Sequence, residues 1–411
     1  MLRLFIYILV TLLCVGTASA SRPGEADSVA VTAGNWRAIV APASGVVISA
    51  VARQAYPHDF SVVKEPVKSD RGMDYVRFLP ALTPWVLKAA GQPTRSSWGR
   101  MAVSQGLGAA IMLGTVEGLK HTVDSRRPDG SDTRSFPSGH AAVAYMGADM
   151  VTRELGWRSG WYAMGAYAVA SAVAVERVVD GHHFPTDVVA GAALGVLSTE
   201  LGYWLGDRIF GSRGLDVKPA SLTDNTNFSF FSLSTGLSLP FGTIGCGDNR
   251  IIRLPALAVT ARGGLAIGDS WGVAVEGGVV STPIVVKSGL ERTYVRNLSA
   301  ITAGVGPYYT LLLGKRYSLV AEATFGYRFN LGINAVDDAL TSESGTLTGR
   351  LGVGGSMRLT PRLRGYASAG IELSHYGFNL KQSDFYSIKT PGSASGLTSS
   401  LLLNLSVTYE L

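Results

Sequence analysis

Cysteine is nearly missing from this chain of 411 residues: there are 2, at Cys14 and Cys246. A disulfide framework is therefore excluded, and a buried small residue is the simplest reading of Cys246. Charge is scarce as well, at 16% of residues against the usual quarter, which excludes a disordered chain or a charged coiled coil. The 36 basic and 30 acidic residues leave a modest excess that never gathers into a basic block, so no nucleic-acid partner is expected. Within residues 21–212 uncharged runs of spanning length are lacking too. The longest there, between Arg37 and Arg53, Arg100 and Glu117, and Arg158 and Glu176, fall short of the roughly 18 residues of a membrane-crossing helix. They predict buried core helices or an interfacial domain in preference to an integral bundle.

What is present divides the chain. Residues 1–20 carry one cation, Arg3, an apolar run over 4–16 and Ala18-Ser19-Ala20, the layout of a secretory signal peptide cleaved after Ala20. An exported chain works where ATP and nicotinamide cofactors are not expected. Residues 21–212 contain Ala-rich apolar stretches at 101–116, 141–150, 161–175 and 188–205, which predict helices by length and by alanine density. Gly211, Gly214 and Pro219 interrupt the pattern and predict a linker over 213–222.

From 223 to 411 the texture alternates. Eight stretches of period two lie near 228–239, 255–267, 271–280, 301–313, 317–330, 347–359, 364–376 and 401–411. In the fifth, Leu319, Phe325 and Phe329 oppose Ser318, Glu322, Thr324 and Arg328. The fold class is thus a helical domain followed by an all-β domain. An even strand count, charges on the small-residue face, a terminal apolar strand and an export signal resemble a small outer-membrane barrel, with a soluble β-sandwich as the alternative. A periplasmic catalytic domain joined to an outer-membrane barrel follows, the inner membrane being the alternative location.

Four of the six histidines fall between Lys120 and Asp187. There stand Lys120-x6-Arg127-Pro128, Phe136-Pro137-Ser138-Gly139-His140 and Arg177-x5-His183-x3-Asp187. Lys120, Arg127 and Arg177 offer three permanent cations suited to a tetrahedral dianion. Ser138 and Gly139 precede a predicted helix, whose N-terminus is a ready anion site. His140 and His183 can act as acid and nucleophile near neutral pH, and Asp187 stands one helical turn from His183. Taken singly, each fragment reads as a capped turn or a satisfied side chain. His183 and Asp187 could also be a metal pair, but no third ligand stands at zinc-like spacing and the cations oppose a metal.

Together and in this order, the three stretches resemble the signature of the type 2 phosphatidic acid phosphatase and vanadium haloperoxidase superfamily, over about residues 95–205. The resemblance implies a helical bundle and metal-independent phosphomonoester hydrolysis through a phosphohistidine, with no cofactor. It implies His183 as nucleophile oriented by Asp187, and His140 as proton donor to the leaving oxygen. Lys120, Arg127, Ser138, Gly139 and Arg177 would bind the phosphoryl oxygens. Two features differ from the family pattern: Glu176 stands where a serine usually precedes the arginine, and only residues 129–136 separate the first two motifs. His182 is assigned no role. The expected substrate is a lipid phosphate of the lipid A, phosphatidyl or polyprenyl type in the envelope, with the membrane as partner and no obligate protein partner. A vanadate-dependent haloperoxidase and a non-enzymatic barrel are the alternatives.

Overall fold

The computed structural model describes residues 36–57, 60–62, 71–211, 229–314, 317–333, 338–359 and 362–411; the signal segment at 1–20 and the linker at 213–222 lie outside them. Seven helices come first: α1 (Trp36–Ala55), α2 (Arg71–Val76), α3 (Leu79–Ala89), α4 (Trp98–Thr122), α5 (Gly139–Leu155), α6 (Gly160–Val179) and α7 (Pro185–Phe210). The last four contain the predicted helical stretches, extended at both ends. Their starts are chemically marked. Ser97, Ser138 and Ser159 cap α4, α5 and α6 by accepting from the N–H of Arg100, Ala141 and Trp161. α7 opens on Pro185 and ends at Gly211, whose φ of 60° continues no helix.

α7 is the central helix, packed on α1, α4 and α5. Small residues allow this. A Cβ on Gly191 would stand 2.2 Å from the Ser138 carbonyl oxygen, and one on Gly195 equally close to that of Ala142. The two glycines therefore press α7 against the start of α5, which carries Ser138 and His140.

The β half consists of a two-residue strand β1 (Ser61–Val62) and, after the linker, β2 (Phe230–Pro240), β3 (Thr243–Cys246), β4 (Asn249–Arg253), β5 (Ala256–Ala266), β6 (Trp271–Ser288), β7 (Glu291–Leu313), β8 (Tyr317–Asn330), β9 (Leu340–Ser342), β10 (Gly345–Arg358), β11 (Leu363–Leu380) and β12 (Gly392–Glu410). Eight of these run in antiparallel order β7-β8-β10-β11-β12-β2-β5-β6, and β6 pairs back to β7. The ring is closed, which excludes the sandwich. Its first and last strands meet along one seam, Phe231 opposite Tyr409 and Leu239 opposite Leu401.

The two parities separate as the alternation requires. Leu319, Phe325, Phe329, Leu347, Leu351 and Ile371 are exposed on the outer wall. Inside, Arg262 pairs with Glu322, Arg328 with Glu372, Arg350 with Glu276, and Arg364 with Glu410. Four strands outrun their alternating stretch at the end remote from the chain termini. In β6, residues 280–286 are buried at every position, so no alternation marks them. The β3–β4 hairpin pairs with this extension, and Cys246 is buried there as expected.

The helices pack on the outer wall. Leu237, Leu239, Leu257, Leu401 and Leu403 share one apolar cluster with Ala141, Val173, Ala174 and Val188. The Tyr145 hydroxyl meets Thr235 Oγ1 at 2.7 Å. At the other end of α6, a Cβ on Gly160 would overlap the Tyr409 ring at 2.1 Å.

Candidate active site

Four helix ends converge beside the barrel: the C-terminal ends of α4 and α6 and the N-terminal ends of α5 and α7. α4 delivers Lys120. The segment after it folds back on itself, Ser125 N donating to Thr133 O, Arg127 N to Asp132 O and Ser135 N to Ser125 O. This short loop sets Arg127 and Ser135 on the same side as α5. The turn between α6 and α7 is equally tight, with the N–H groups of His182 and His183 both donating to Arg177 O.

His183 is 2% exposed. Its Nδ1 lies 3.2 Å from Ser135 Oγ, which donates to Asp187 Oδ2 at 2.6 Å. Asp187 therefore reaches the ring through Ser135 rather than directly, a correction to the expected pairing. The geometric reason is that Asp187 Oδ2 also accepts from Phe184 N at 3.1 Å, closing the first turn of α7. With the serine proton on Asp187, Ser135 Oγ accepts Nδ1–H and leaves His183 Nε2 as the unprotonated nitrogen. Arg53 balances Asp187 from α1, 3.5 Å from Oδ1. Burial, then the charges of Arg127, His140 and Lys120, hold the His183 pKa well below its usual value, so the ring is neutral near pH 7.

His140 opens α5 and its Nε2 lies 2.8 Å from Asp74 Oδ1 on α2. The same oxygen is 3.7 Å from Arg177 Nη2. Burial and Arg177 lower the His140 pKa to about 4, against a smaller opposing pull from Asp74. Asp74 is itself lowered, chiefly by its bond to His140. Arg177 is gripped by its neighbour Glu176 through both Nε and Nη2. The acid that departs from the family pattern thus holds the arginine side chain that the phosphate would need.

Of the remaining expected phosphate ligands, Lys120 Nζ stands 3.6 Å from where a Gly139 Cβ would be, which sets the lysine beside the start of α5. Arg127 is tied to Asp132 at 3.0 Å on the exposed side. Ser138 is fully buried; its N–H donates to Asp187 O and its hydroxyl caps the helix, so it braces the turn that carries Gly139 and His140. His182 lies 3.4 Å from Asp129 Oδ2, and despite burial its bond, with those from Ser131, holds that carboxyl at about 2. Glu176, Asp180 and His182 have ligand atoms within 4.8 Å of one another, the one metal-like group among the described residues. Glu176 is committed to Arg177, which sets a permanent cation against any ion placed there.

The barrel reaches this site. Asn297 of β7 donates from Nδ2 to the carbonyl of Val178, and Tyr294 Oη donates to Asn297 Oδ1 at 3.0 Å. The Tyr294 ring packs edge-on to Phe184 at 5.7 Å, with Phe60 completing the cluster. Sequence reasoning missed Ser135, Asp74, Arg53, Tyr294 and Asn297. Ser135, two residues before the Pro-Ser-Gly-His stretch, was the one within reach of a local argument.

Among known proteins, 163 residues of this chain are 40% identical to a lipid A 1-phosphatase of Porphyromonas gingivalis, covering 39% of this chain and 37% of the relative. Another 91-residue match, at 33% identity, is to the bacitracin transport permease protein BcrC of Bacillus licheniformis, covering 22% and 38%. This chain therefore spans under two-fifths of either relative. The outer membrane protein OprG of Pseudomonas aeruginosa is similar over 45% of this chain and 96% of its own, at 9% identity and a TM-score of 0.37, which adds nothing to the ring read from the strand pairings. The family model that matches is more local. It is residues 101–210, the stretch holding Lys120, Arg127, Ser135, His140, Arg177, His183 and Asp187, that match the PAP2 superfamily.

Proposed function

We propose that this protein is a phosphatase of the PAP2 type, removing a phosphoryl group from a lipid through a phosphohistidine. The observation that carries the reading is the chain His183–Ser135–Asp187, which leaves a buried, neutral Nε2 near Lys120 and Arg127, with Arg177 acting on His140 opposite. His183 Nε2 attacks phosphorus, and the bond to the lipid oxygen breaks as His140 supplies its proton. The equatorial oxygens spread their charge onto the three cations and the α5 N-terminus. Water then attacks the phosphohistidine, His140 takes the water proton, and inorganic phosphate leaves with His183 restored.

His140 near pKa 4 is neutral in the empty site at pH 7. A dianionic phosphate beside it supplies the negative charge that raises it, so the proton donor forms on binding. The site relies on fixed cations, so phosphate release is expected to survive chelation of divalent metals. Lipid phosphates of the lipid A, phosphatidyl and polyprenyl types are the substrate class, and the exported chain is held at the outer membrane by its barrel.

The test is phosphate release from a panel of lipid and soluble phosphomonoesters by the full chain and by His183→Ala. Loss of release in the variant, with its fold intact by circular dichroism, is expected; turnover retained in it would reject the covalent mechanism. Halide oxidation that needs added vanadate, without phosphate release, would replace this reading with a haloperoxidase.

A further inference from the structure

The two ends of the barrel are unlike. At one end successive strands follow one another closely in sequence, Ala266 to Trp271, Leu313 to Tyr317 and Arg358 to Leu363, and Leu411 donates to Ser229 O there. At the other end they stand further apart in sequence, Pro240 to Ala256, Asn330 to Gly345 and Leu380 to Gly392, and the extended hairpin of β6 and β7 lies there too. Outer-membrane barrels place their short turns in the periplasm and their long loops outside the cell.

α6 runs along the wall between these ends. Its start meets the turn end, where Trp161 packs on Tyr409 and Phe231 with centroids 5.4 and 5.8 Å away. Its finish meets the loop end, where Val178 O accepts from Asn297. Tyr56 Oη donates to Pro240 O at 2.7 Å, and β1 pairs with Thr293 and Tyr294, also at that end. Arg177, His183 and the rest of the site are therefore level with the loops.

The helices also match the barrel in height. The uncharged runs of α4 and α6, residues 101–116 and 159–175, measure about 24–26 Å at helical rise. That is short for an ordinary bilayer, but it equals the apolar band of about 25 Å on an outer-membrane barrel. α6 and α7 are both long and apolar enough to cross a membrane. Charge closes the bundle at each end, with Arg100 and Arg95 on Asp207 and Arg153 on Glu200 at one, and the phosphate cradle at the other. The helices occupy the same outer face that elsewhere leaves Leu351 and Phe325 bare, and α4 exposes Leu113 midway along its uncharged run.

We propose that helices and barrel lie side by side in one bilayer, with the phosphate site opening on the loop side, at the cell surface. This differs from the expectation of a periplasmic catalytic domain. Although the N-terminal end of β2 does sit at the turn end, α6 carries the site back across the apolar band. Resting on the phosphatase reading for its chemistry, the placement narrows the substrate to phosphorylated lipids of the outer leaflet.

The test introduces cysteines one at a time into the full chain, whose Cys246 is buried, and labels them with a membrane-impermeant maleimide. Thr133→Cys sits on the exposed loop beside Arg127, and Gly268→Cys on a short turn where a Cβ meets nothing within 4 Å. The unsubstituted chain gives the background. Thr133→Cys should label on intact cells, and Gly268→Cys only after the outer membrane is permeabilised. The reverse pattern, labelling of both or labelling of neither overturns the placement. For the side-by-side arrangement, an environment-sensitive fluorophore on Leu113→Cys or Leu351→Cys is exposed to brominated lipid in reconstituted vesicles. Both should lose emission; quenching at Leu351→Cys alone overturns the arrangement. Neither readout depends on turnover, so failure here leaves the phosphatase reading standing, and failure of phosphate release leaves the placement standing.

Discussion

The barrel lumen and the candidate phosphate site hold their cations in opposite ways. Inside the barrel, Arg262, Arg328 and Arg350 each meet a glutamate 60, 44 and 74 residues away in the chain. Such pairs form only when the ring closes, and they fill the lumen as core. Around the candidate phosphate site each cation has a local acid partner: Glu176 adjoins Arg177, Glu117 stands a helical turn from Lys120, and Asp132 is five residues from Arg127, while Arg177 also meets the distant Asp74 at 3.7 Å. On the proposed phosphatase reading these local pairs hold the cations in reserve and can exchange for a dianion. A local acid partner, more than the exposure of the arginine, then marks a binding cation.

That difference can be broken experimentally, starting with the largest effect. Arg177→Ala should lower kcat by about 10²–10³-fold in phosphate-release assays while leaving the melting temperature near wild type. Arg328→Met should do the opposite, costing about 3–5 kcal/mol of stability by stranding Glu372, while the double change Arg328→Met with Glu372→Leu recovers most of it. If Arg328→Met proves harmless to stability and harmful to turnover, the distinction fails.

Ser135→Ala sharpens it within the site. Losing the link between His183 and Asp187 should reduce kcat about 10–100-fold with KM little changed, and shift the acid limb of the pH–rate profile. Stability should also fall on acidification. His140 is held at about 4 and His183 well below 6.5 in the folded chain, whereas unfolded histidine titrates near 6.5. Between those values the unfolded chain binds the extra protons, so the melting temperature should fall as pH drops from about 6.5 towards 4, less steeply in His140→Asn. The smallest effect is expected from Asn297→Ala, a few-fold loss of kcat measured at saturating lipid, because the barrel steadies the Val178 carbonyl without touching phosphate.

The sequence made part of this readable. The three motif stretches are short and ordered, and their side chains converge because helix ends, which need caps and anions anyway, supply them. Asp74, Arg53 and Asn297 were invisible because their meaning lies in partners 66, 134 and 119 residues away. Alternation marked the strands wherever one face looks outward and the other into a polar lumen. It failed over 280–286, where both faces are covered. Against a full-thickness bilayer the uncharged helical runs read as buried core or an interfacial domain; the proposed seat beside a barrel wall gives their length a different yardstick. Gly191 and Gly195 each admit a carbonyl of the Ser138–Ala142 turn, a meaning that their spacing alone does not carry.

The contact between Gly160 and Tyr409 has a consequence for how the molecule is assembled. Tyr409 lies on β12, the strand that seals the ring against β2. The foremost point of α6 thus leans on the ring's sealing strand. The helix has its seat only once β12 is in place, and a stop ahead of Tyr409 would leave both the cylinder unsealed and the helical half without its buttress.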